Sequence, residues 1–141
     1  MSEDLTVSDI RGCFEGVIPA VIATASRDGC PNVTHLSRVF YVDDNHVALS
    51  NQFFSKTTRN LAENPNACVV VVDPTTYDSY RMMLVYERTE RRGPVFERLR
   101  RDIDAIAALT GMAGIFKLRS ADIYRVAEIE QVLAAVDLAE S

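Results

Sequence analysis

Five consecutive residues, Ser55 to Arg59, combine three hydroxyl groups and two cations at the predicted start of a helix. The first turn of a helix has unpaired N–H groups and a partial positive charge, so it can bind a phosphate. Lys56 and Arg59 lie three residues apart and share a helix face, and Arg38 on a preceding strand can offer a planar guanidinium to two phosphate oxygens. One interpretation is a phosphate-bearing cofactor held between strand and helix. The other is that Ser55 only caps the helix and the cations are solvated.

The composition is that of one globular domain. The chain has 141 residues, of which 48% are hydrophobic and 25% charged, which is enough for a core. A formal net charge of −5 argues against general binding to nucleic acid or to an anionic membrane surface. The longest apolar run, residues 17–25, is far shorter than the ~20 residues that span a bilayer, and the acidic N-terminus is unlike a signal peptide. We therefore expect a cytoplasmic protein.

The cysteines and histidines show no metal-ligand or catalytic spacing. Cys13, Cys30 and Cys68 are odd in number and form no C-x-x-C motif, so we expect a reducing compartment and small buried thiols. His35 and His46 are the only histidines, and nothing around them resembles a metal site or a nucleophile–base pair. The sequence therefore predicts no metal site and identifies no catalytic acid or base.

Turn and helix signals divide the chain into short elements. The predicted elements are a helix over Ser8–Phe14, three strands within residues 17–50, a helix from Ser55 to Asn64, a strand within 67–74 buried on both faces, a strand over Tyr80–Glu90, a helix from Pro94 to Gly111, a strand over 114–126 and an amphipathic helix over 127–139. Asp28-Gly29 is a hairpin signal, and Pro65 disfavours helical geometry in the residue before it.

The order of these elements indicates a mainly β, α+β fold. Strands joined by tight turns must be antiparallel, and about six of them with two intervening helices suggest a closed or nearly closed barrel without exposed edges. A parallel dinucleotide-binding sheet is disfavoured, because no G-x-G-x-x-G follows the first strand. We place a barrel domain at residues 1–128 and an amphipathic helix or tail at 129–141.

The ordered set of motifs resembles the FMN-binding split-barrel family related to pyridoxamine 5′-phosphate oxidase. That family pairs an Arg-led apolar strand with a second strand, followed by S-x-K-like residues, a helix and N-P. The matching elements here are Arg38-Val39-Phe40-Tyr41-Val42, Val47-Ala48-Leu49-Ser50-Asn51, Ser55-Lys56-Thr57 and Asn64-Pro65. The similarity covers roughly residues 17–128 and implies an antiparallel split barrel that forms a homodimer with flavin in the groove between subunits.

The resemblance also implies roles for individual residues. Arg38, Lys56 and Thr57 would contact the FMN phosphate, and Ser50 and Asn51 would lie along the ribityl chain or the isoalloxazine edge. The residues assigned to the cofactor are Arg38, Val39, Ser50, Asn51, Ser55, Lys56, Thr57 and Arg59, of which Arg59 is assigned on its charge and position alone. Tyr77, Tyr80, Tyr86 and Tyr124 can stack on a flavin or pack in the core, with Tyr124 the foremost flavin candidate.

The chain departs from the family at several positions. Asp43 stands where the family's strand ends in a Lys near the flavin, and Thr57 replaces the second cation of the phosphate pair. The chain has no Trp, and 123-IYRVAEIEQ-131 lacks the R-x-H element of pyridoxamine phosphate oxidases, so we reject that specific reaction. The prediction is a small FMN-dependent oxidoreductase with a small-molecule redox substrate or a nicotinamide donor. The alternatives are a non-catalytic sensor module, or the same barrel with a deazaflavin or haem.

Overall fold

The fold is built almost entirely from short antiparallel strands. A computed structural model describes residues 5–15, 19–36, 39–51, 55–109 and 120–133. In chain order, its elements are a 3₁₀-helix (Val7–Phe14), β1 (Ala20–Ala25), β2 (Pro31–Leu36), β3 (Val39–Asp43), β4 (His46–Asn51), α1 (Ser55–Glu63), β5 (Asn66–Val72), β6 (Ser79–Glu90), α2 (Pro94–Leu109) and β7 (Ser120–Leu133).

One sheet contains all seven strands and curls back on itself. The strand order is β2-β1-β5-β6-β7-β4-β3, and every recorded pairing is antiparallel. Leu36 at the end of β2 and Val39 at the start of β3 are three residues apart, so they lie within about 11 Å of each other. They nevertheless belong to the two outermost strands of the order. The sheet must therefore form a barrel, and it is split because no ladder joins β2 to β3 in the described chain. The predicted antiparallel split barrel is confirmed.

The strand count within residues 17–50 differs from the prediction. The sequence predicts three strands there, and the structure has four. The chain between the two tight turns divides because β2 pairs with β1 whereas β3 pairs with β4. The two halves of the predicted strand therefore pair with different neighbours, at the two ends of the strand order.

The helices begin where local signals place them. α1 starts at Ser55 and ends at Glu63, just before Asn64-Pro65, and α2 starts at Pro94, a position that tolerates the missing N–H. The predicted stop at Gly111 lies outside the described residues. Among the described helices, none combines the length and the apolar character needed to cross a membrane.

Two apolar clusters fill the molecule. Ile22, Val69, Met82, Leu84 and Tyr124 are among the residues of the barrel interior. The second cluster lies under α2, where Leu99 and Ile103 pack with Phe40, Ala48 and Ile123. Along β5, the side chains alternate between buried and half-buried. The prediction that β5 is buried on both faces is therefore wrong for its outer face, because that face lacks a covering layer in the described chain.

The end of the described chain is a strand where the sequence predicts a helix. β7 continues to Leu133 and stays paired with β6 as far as Ser79. Ile129 lies opposite Met82 and packs against the barrel interior. Its apolar side chain is therefore directed inward by a strand and not by a helix. The helix predicted from Ala127 is thus wrong up to Leu133, because pairing with the long β6 outweighs local helical periodicity. The predicted division at residue 128 falls inside β7, and residues 134–139 lie outside the described chain.

Candidate cofactor site

The backbone brings the end of β4 next to the start of α1. Ser50 and Asn51 are the last residues of β4, and they lie opposite Ala121 and Ser120 of β7. Only three residues separate Asn51 from Ser55, so the two positions are at most about 14 Å apart. Ser55, Lys56 and Thr57 form the first turn of α1. Six of the eight predicted cofactor residues are therefore placed on two consecutive elements, with Arg59 exposed in the next turn of the same helix.

The two remaining predicted residues precede and begin β3. Val39 is the first residue of β3 and is buried in the barrel interior opposite Leu49. Its side chain is therefore part of the core. Arg38, the other of these two residues and a predicted phosphate ligand, lies outside the described residues.

α1 is fixed to β1 through its second half. The Asn60 Nδ2 group donates a hydrogen bond to Thr24 Oγ1 at 3.2 Å, and both side chains are buried. The Glu63 carboxylate accepts a hydrogen bond from the backbone N–H of Arg27 at 2.8 Å, and Leu61 is buried in the barrel interior. These contacts orient the helix without using its first turn.

The first turn of α1 suits an anion. It contains no acidic residue, although Asp and Glu are favoured there in most helices. The N–H groups of a first turn have no partner inside the helix. A phosphate placed there would meet those backbone donors, and the sequence of the turn contains two hydroxyl residues and a lysine, Ser55, Thr57 and Lys56. The residue types of this turn therefore fit the phosphate of FMN.

A buried polar network lies beside the end of β4. Asp122 and Ser120 of β7 are buried, and they pair in register with Leu49 and Asn51. The Asp122 carboxylate accepts a hydrogen bond from Thr89 Oγ1 at 2.7 Å, and the Thr89 hydroxyl also contacts the Tyr86 hydroxyl. Sequence reasoning missed this network. Its only signal was an aspartate inside an otherwise apolar strand, 120-SADIY-124.

Tyr124 is a core residue. Its side chain is almost completely buried, and its ring meets the Tyr86 ring edge-on at a centroid distance of 5.6 Å. Burial raises the pKa of Tyr124, and the nearby Asp122 carboxylate and Tyr86 add to the increase. The core interpretation of this residue is therefore confirmed, and within this chain its ring faces are used by packing.

Asp43 serves the turn between β3 and β4. Its carboxylate accepts a hydrogen bond from the Asn45 N–H at 2.8 Å and lies 2.9 Å from His46 Nδ1. Burial alone would raise the pKa of Asp43, but hydrogen bonds from Asn45 and His46 lower it below its usual value. His46 Nε2 lies 3.1 Å from a Glu87 carboxylate oxygen. The family's lysine position thus holds a carboxylate that stabilises a turn.

The three cysteines are free thiols in different environments. Burial raises the pKa of Cys13 to about 12, with smaller contributions from Asp73 and Asp78, so it is an inert core thiol as predicted. Burial also raises the pKa of Cys68. Cys30 is exposed in the β1–β2 turn, which corrects the prediction that all three are buried.

Together, the open antiparallel barrel and the polar helix start that follows β4 define a split-barrel protein. A family model described as pyridoxamine 5′-phosphate oxidase matches residues 8–126, most of the chain. The chain belongs to this family. No curated protein matches it.

Several solved structures share the fold at low sequence identity. An FMN-binding protein from Syntrophomonas wolfei is similar with a TM-score of 0.68 and 18% identity over 81% of this chain and 76% of that chain. An F420 reductase is similar with a TM-score of 0.61 and 15% identity over 85% and 94% of the two chains. HutZ, a haem storage protein from Vibrio cholerae, is similar with a TM-score of 0.56 and 17% identity over 92% and 93%.

Proposed function

We propose that this protein binds FMN and acts as a small oxidoreductase on a substrate other than pyridoxamine phosphate. The observation that carries the proposal is the first turn of α1. It follows β4 within a few residues, contains no acidic residue, and belongs to a helix held in place by buried contacts at its other end. Membership of the family and similarity to an FMN-binding protein support the same conclusion.

Each proposed residue has a separate task. Lys56 and Arg38 neutralise the phosphate, and Thr57 and Ser55 add hydroxyl or backbone hydrogen bonds. Ser50 and Asn51 orient the rest of the cofactor from the end of β4. Bound flavin supplies the electron-transfer chemistry, whereas the protein supplies binding, orientation and electrostatics. A small-molecule acceptor or a nicotinamide donor completes the reaction.

Calorimetric titration with FMN and with riboflavin tests the phosphate site. We expect FMN to bind more tightly than riboflavin, because only FMN carries the phosphate. Lys56→Ala and Arg38→Ala should each weaken FMN binding by about 1.5–3 kcal/mol, the value of a charge-assisted hydrogen bond. Arg101→Ala is the matched control, because Arg101 is exposed on α2 and should leave affinity unchanged. Equal affinities for FMN and riboflavin would contradict the proposal.

Turnover separates an oxidoreductase from a sensor module on the same barrel. An oxidoreductase should accept electrons from a nicotinamide donor into its bound flavin and pass them to an acceptor over many cycles. This is measured as donor consumption in the presence and absence of added acceptor. Tight flavin binding without turnover on a panel of donors would favour the sensor alternative.

The outer face of the sheet supports a homodimer. Val33, Ala23, Cys68 and Met83 lie side by side on four neighbouring strands, as the pairing register shows. Val33 is 64% exposed and Met83 is 40% exposed. An apolar row across four strands is a surface that a monomer rarely leaves in water. We propose that a second copy of this chain covers it.

Light scattering during size-exclusion chromatography tests the dimer. The double variant Val33→Glu/Met83→Glu should shift the protein towards monomer, because four charges would be buried in a two-fold interface. Leu109→Glu is the matched control, since Leu109 is fully exposed at the end of α2, a helix that packs on the β3–β4–β7 part of the sheet. A double variant that remains fully dimeric would rule out this face.

Haem binding is the second candidate, because one similar structure is a haem storage protein. His46 is engaged at both ring nitrogens, by Asp43 and by Glu87, so a histidine axial ligand would be the exposed His35 of β2. We expect no new Soret band when hemin is added to the protein. A band that forms in the wild type and disappears in His35→Ala would favour haem over flavin.

A further inference from the structure

A small cavity with two charges of each sign lies between the N-terminal 3₁₀-helix, β3 and α2. Its volume is about 170 Å³. The charged groups that line it are Arg11 and Glu15, at the end of the 3₁₀-helix, and Arg98 and Asp102, on α2. The rest of the lining includes Tyr41 and two phenylalanine rings. Of the predicted flavin residues that the structure describes, none lines it.

Tyr41 holds both guanidinium groups in place. The Arg11 guanidinium carbon lies 4.2 Å from the centre of the Tyr41 ring, a cation–π contact. Arg98 Nη2 donates a hydrogen bond to the Tyr41 carbonyl oxygen at 2.6 Å. That carbonyl belongs to an edge strand, since β3 ends the strand order. A guanidinium has five N–H donors, so these contacts leave donors available for a ligand.

The four charges do not neutralise one another. Arg11 and Glu15, like Arg98 and Asp102, are four residues apart, a spacing at which opposite charges on a helix commonly pair. Yet none of the four takes part in an ion pair with any residue of the described chain. Two guanidinium groups and two carboxylates therefore border one cavity without an ion pair among the described residues.

We propose that this cavity binds a small zwitterion of the α-amino-acid class. The carboxylate of the ligand meets Arg11 and Arg98, and its ammonium group meets Glu15 and Asp102. A simple anion would be repelled by the two carboxylates, and a simple amine by the two guanidinium groups. The volume of about 170 Å³ suits a small amino acid. The site goes beyond the proposed flavin function and does not depend on it.

Calorimetric titration of the full chain with L-alanine, L-serine and L-leucine tests the proposal. Propionate and ethylamine are the matched controls, because each keeps only one of the two charges of L-alanine. We expect at least one amino acid to bind. Both single-charge controls should bind at least about tenfold more weakly, because each loses a charge-assisted hydrogen bond.

Two variants locate the binding in the cavity. Asp102→Asn keeps the shape of an exposed side chain and breaks no described contact, so it should fold normally and weaken amino-acid binding about tenfold. Asp104→Asn, on the same helix but outside the cavity lining, should bind as the wild type does. The proposal is overturned if no amino acid binds at 10-fold excess over about 1 mM protein, if propionate binds as tightly as L-alanine, or if Asp102→Asn has no effect. None of these results changes the expected preference for FMN over riboflavin.

Discussion

The hydrogen bond between Asn60 and Thr24 sets the position of α1, and removing it should destabilise the protein measurably. Both side chains are buried, at 4% and 5% exposure, and their 3.2 Å contact joins the helix to β1. Asn60→Ala removes a buried hydrogen bond and leaves the Thr24 hydroxyl without its donor. The expected loss is about 1–3 kcal/mol of the free energy of unfolding. For a chain of this length, each kcal/mol lowers the melting temperature by roughly 4 °C.

A double-mutant cycle isolates the bond itself. Thr24→Val replaces the hydroxyl with a methyl group of similar shape, so the Asn60→Ala change should cost about 1 kcal/mol less in a Thr24→Val background. Urea unfolding at one fixed protein concentration is the assay, because the proposed dimerisation would make apparent stability depend on concentration. Glu63→Gln is the control, since an amide oxygen can still accept the exposed hydrogen bond from Arg27, and we expect a change within about 0.5 kcal/mol.

A coupling free energy below about 0.3 kcal/mol, the usual error of additivity, would refute the role given to this contact. In that case α1 would be held by Leu61 and the helix packing alone. If the coupling is found, the same Asn60→Ala variant should also weaken FMN more than riboflavin, because a loosened α1 presents its first turn to the phosphate less often.

Two further predictions follow from the ionisable groups. The pKa of Asp43 is lowered in the folded chain, so its contribution to stability is present above the pKa of the unfolded state and is lost as pH falls through the lower folded value. Unfolding measured between roughly pH 6 and pH 2 should therefore show a smaller acid-dependent loss in Asp43→Asn than in the wild type, and an identical loss would contradict the turn contacts. Because burial raises the pKa of Cys13 to about 12, a thiol reagent at neutral pH should label Cys30 first and reach Cys13 only after unfolding. Mass spectrometry of the labelled peptides measures this order. Equal labelling rates for Cys13 and Cys30 would contradict the buried position of Cys13.

Local chemistry explains the elements that the sequence predicts well. α1 ends before Asn64-Pro65 because of the restriction that proline imposes on its neighbour, and α2 begins at Pro94 for the complementary reason. The β1–β2 hairpin turns at Gly29, whose φ of +84° is a conformation that glycine adopts without strain. Each of these features depends on a few adjacent residues, so the sequence alone is sufficient.

Two of the three errors in the fold have a different origin. The division of one predicted strand into β2 and β3 depends on which neighbours they find across the sheet. The extension of β7 to Leu133 depends on the length of β6, whose matching residue Ser79 is far away in the chain. The spacing of Ile129 and Val132 satisfies a helix as well as a bulged strand, and local propensity cannot choose between them. Long-range pairing decides both cases.

The same distinction between adjacent residues and distant elements applies to the candidate sites. The cluster at the start of α1 was visible in the sequence because its residues are consecutive. The network of Asp122, Thr89 and Tyr86 was not, because it joins β6 and β7 only after the barrel has formed. The charged cavity beside Tyr41 likewise needs three elements to come together. Consecutive residues can therefore be proposed as a cofactor site from the sequence, whereas sites made by distant elements become visible only in the folded sheet.

Asp43 is one of the positions at which the chain departs from its family. A lysine at this position would add positive charge at the end of β3, but here the side chain accepts hydrogen bonds within the β3–β4 turn. The turn gains stability from this carboxylate, which lies at the opposite end of β4 from Ser50 and Asn51. With Thr57 in place of the second cation of the family's phosphate pair, the charge at the proposed phosphate site would rest on Lys56 and Arg38, with Arg59 in the next turn of the same helix. Selectivity for FMN over riboflavin should consequently be set by very few side chains, which is why single substitutions at Lys56 or Arg38 test the proposal so directly.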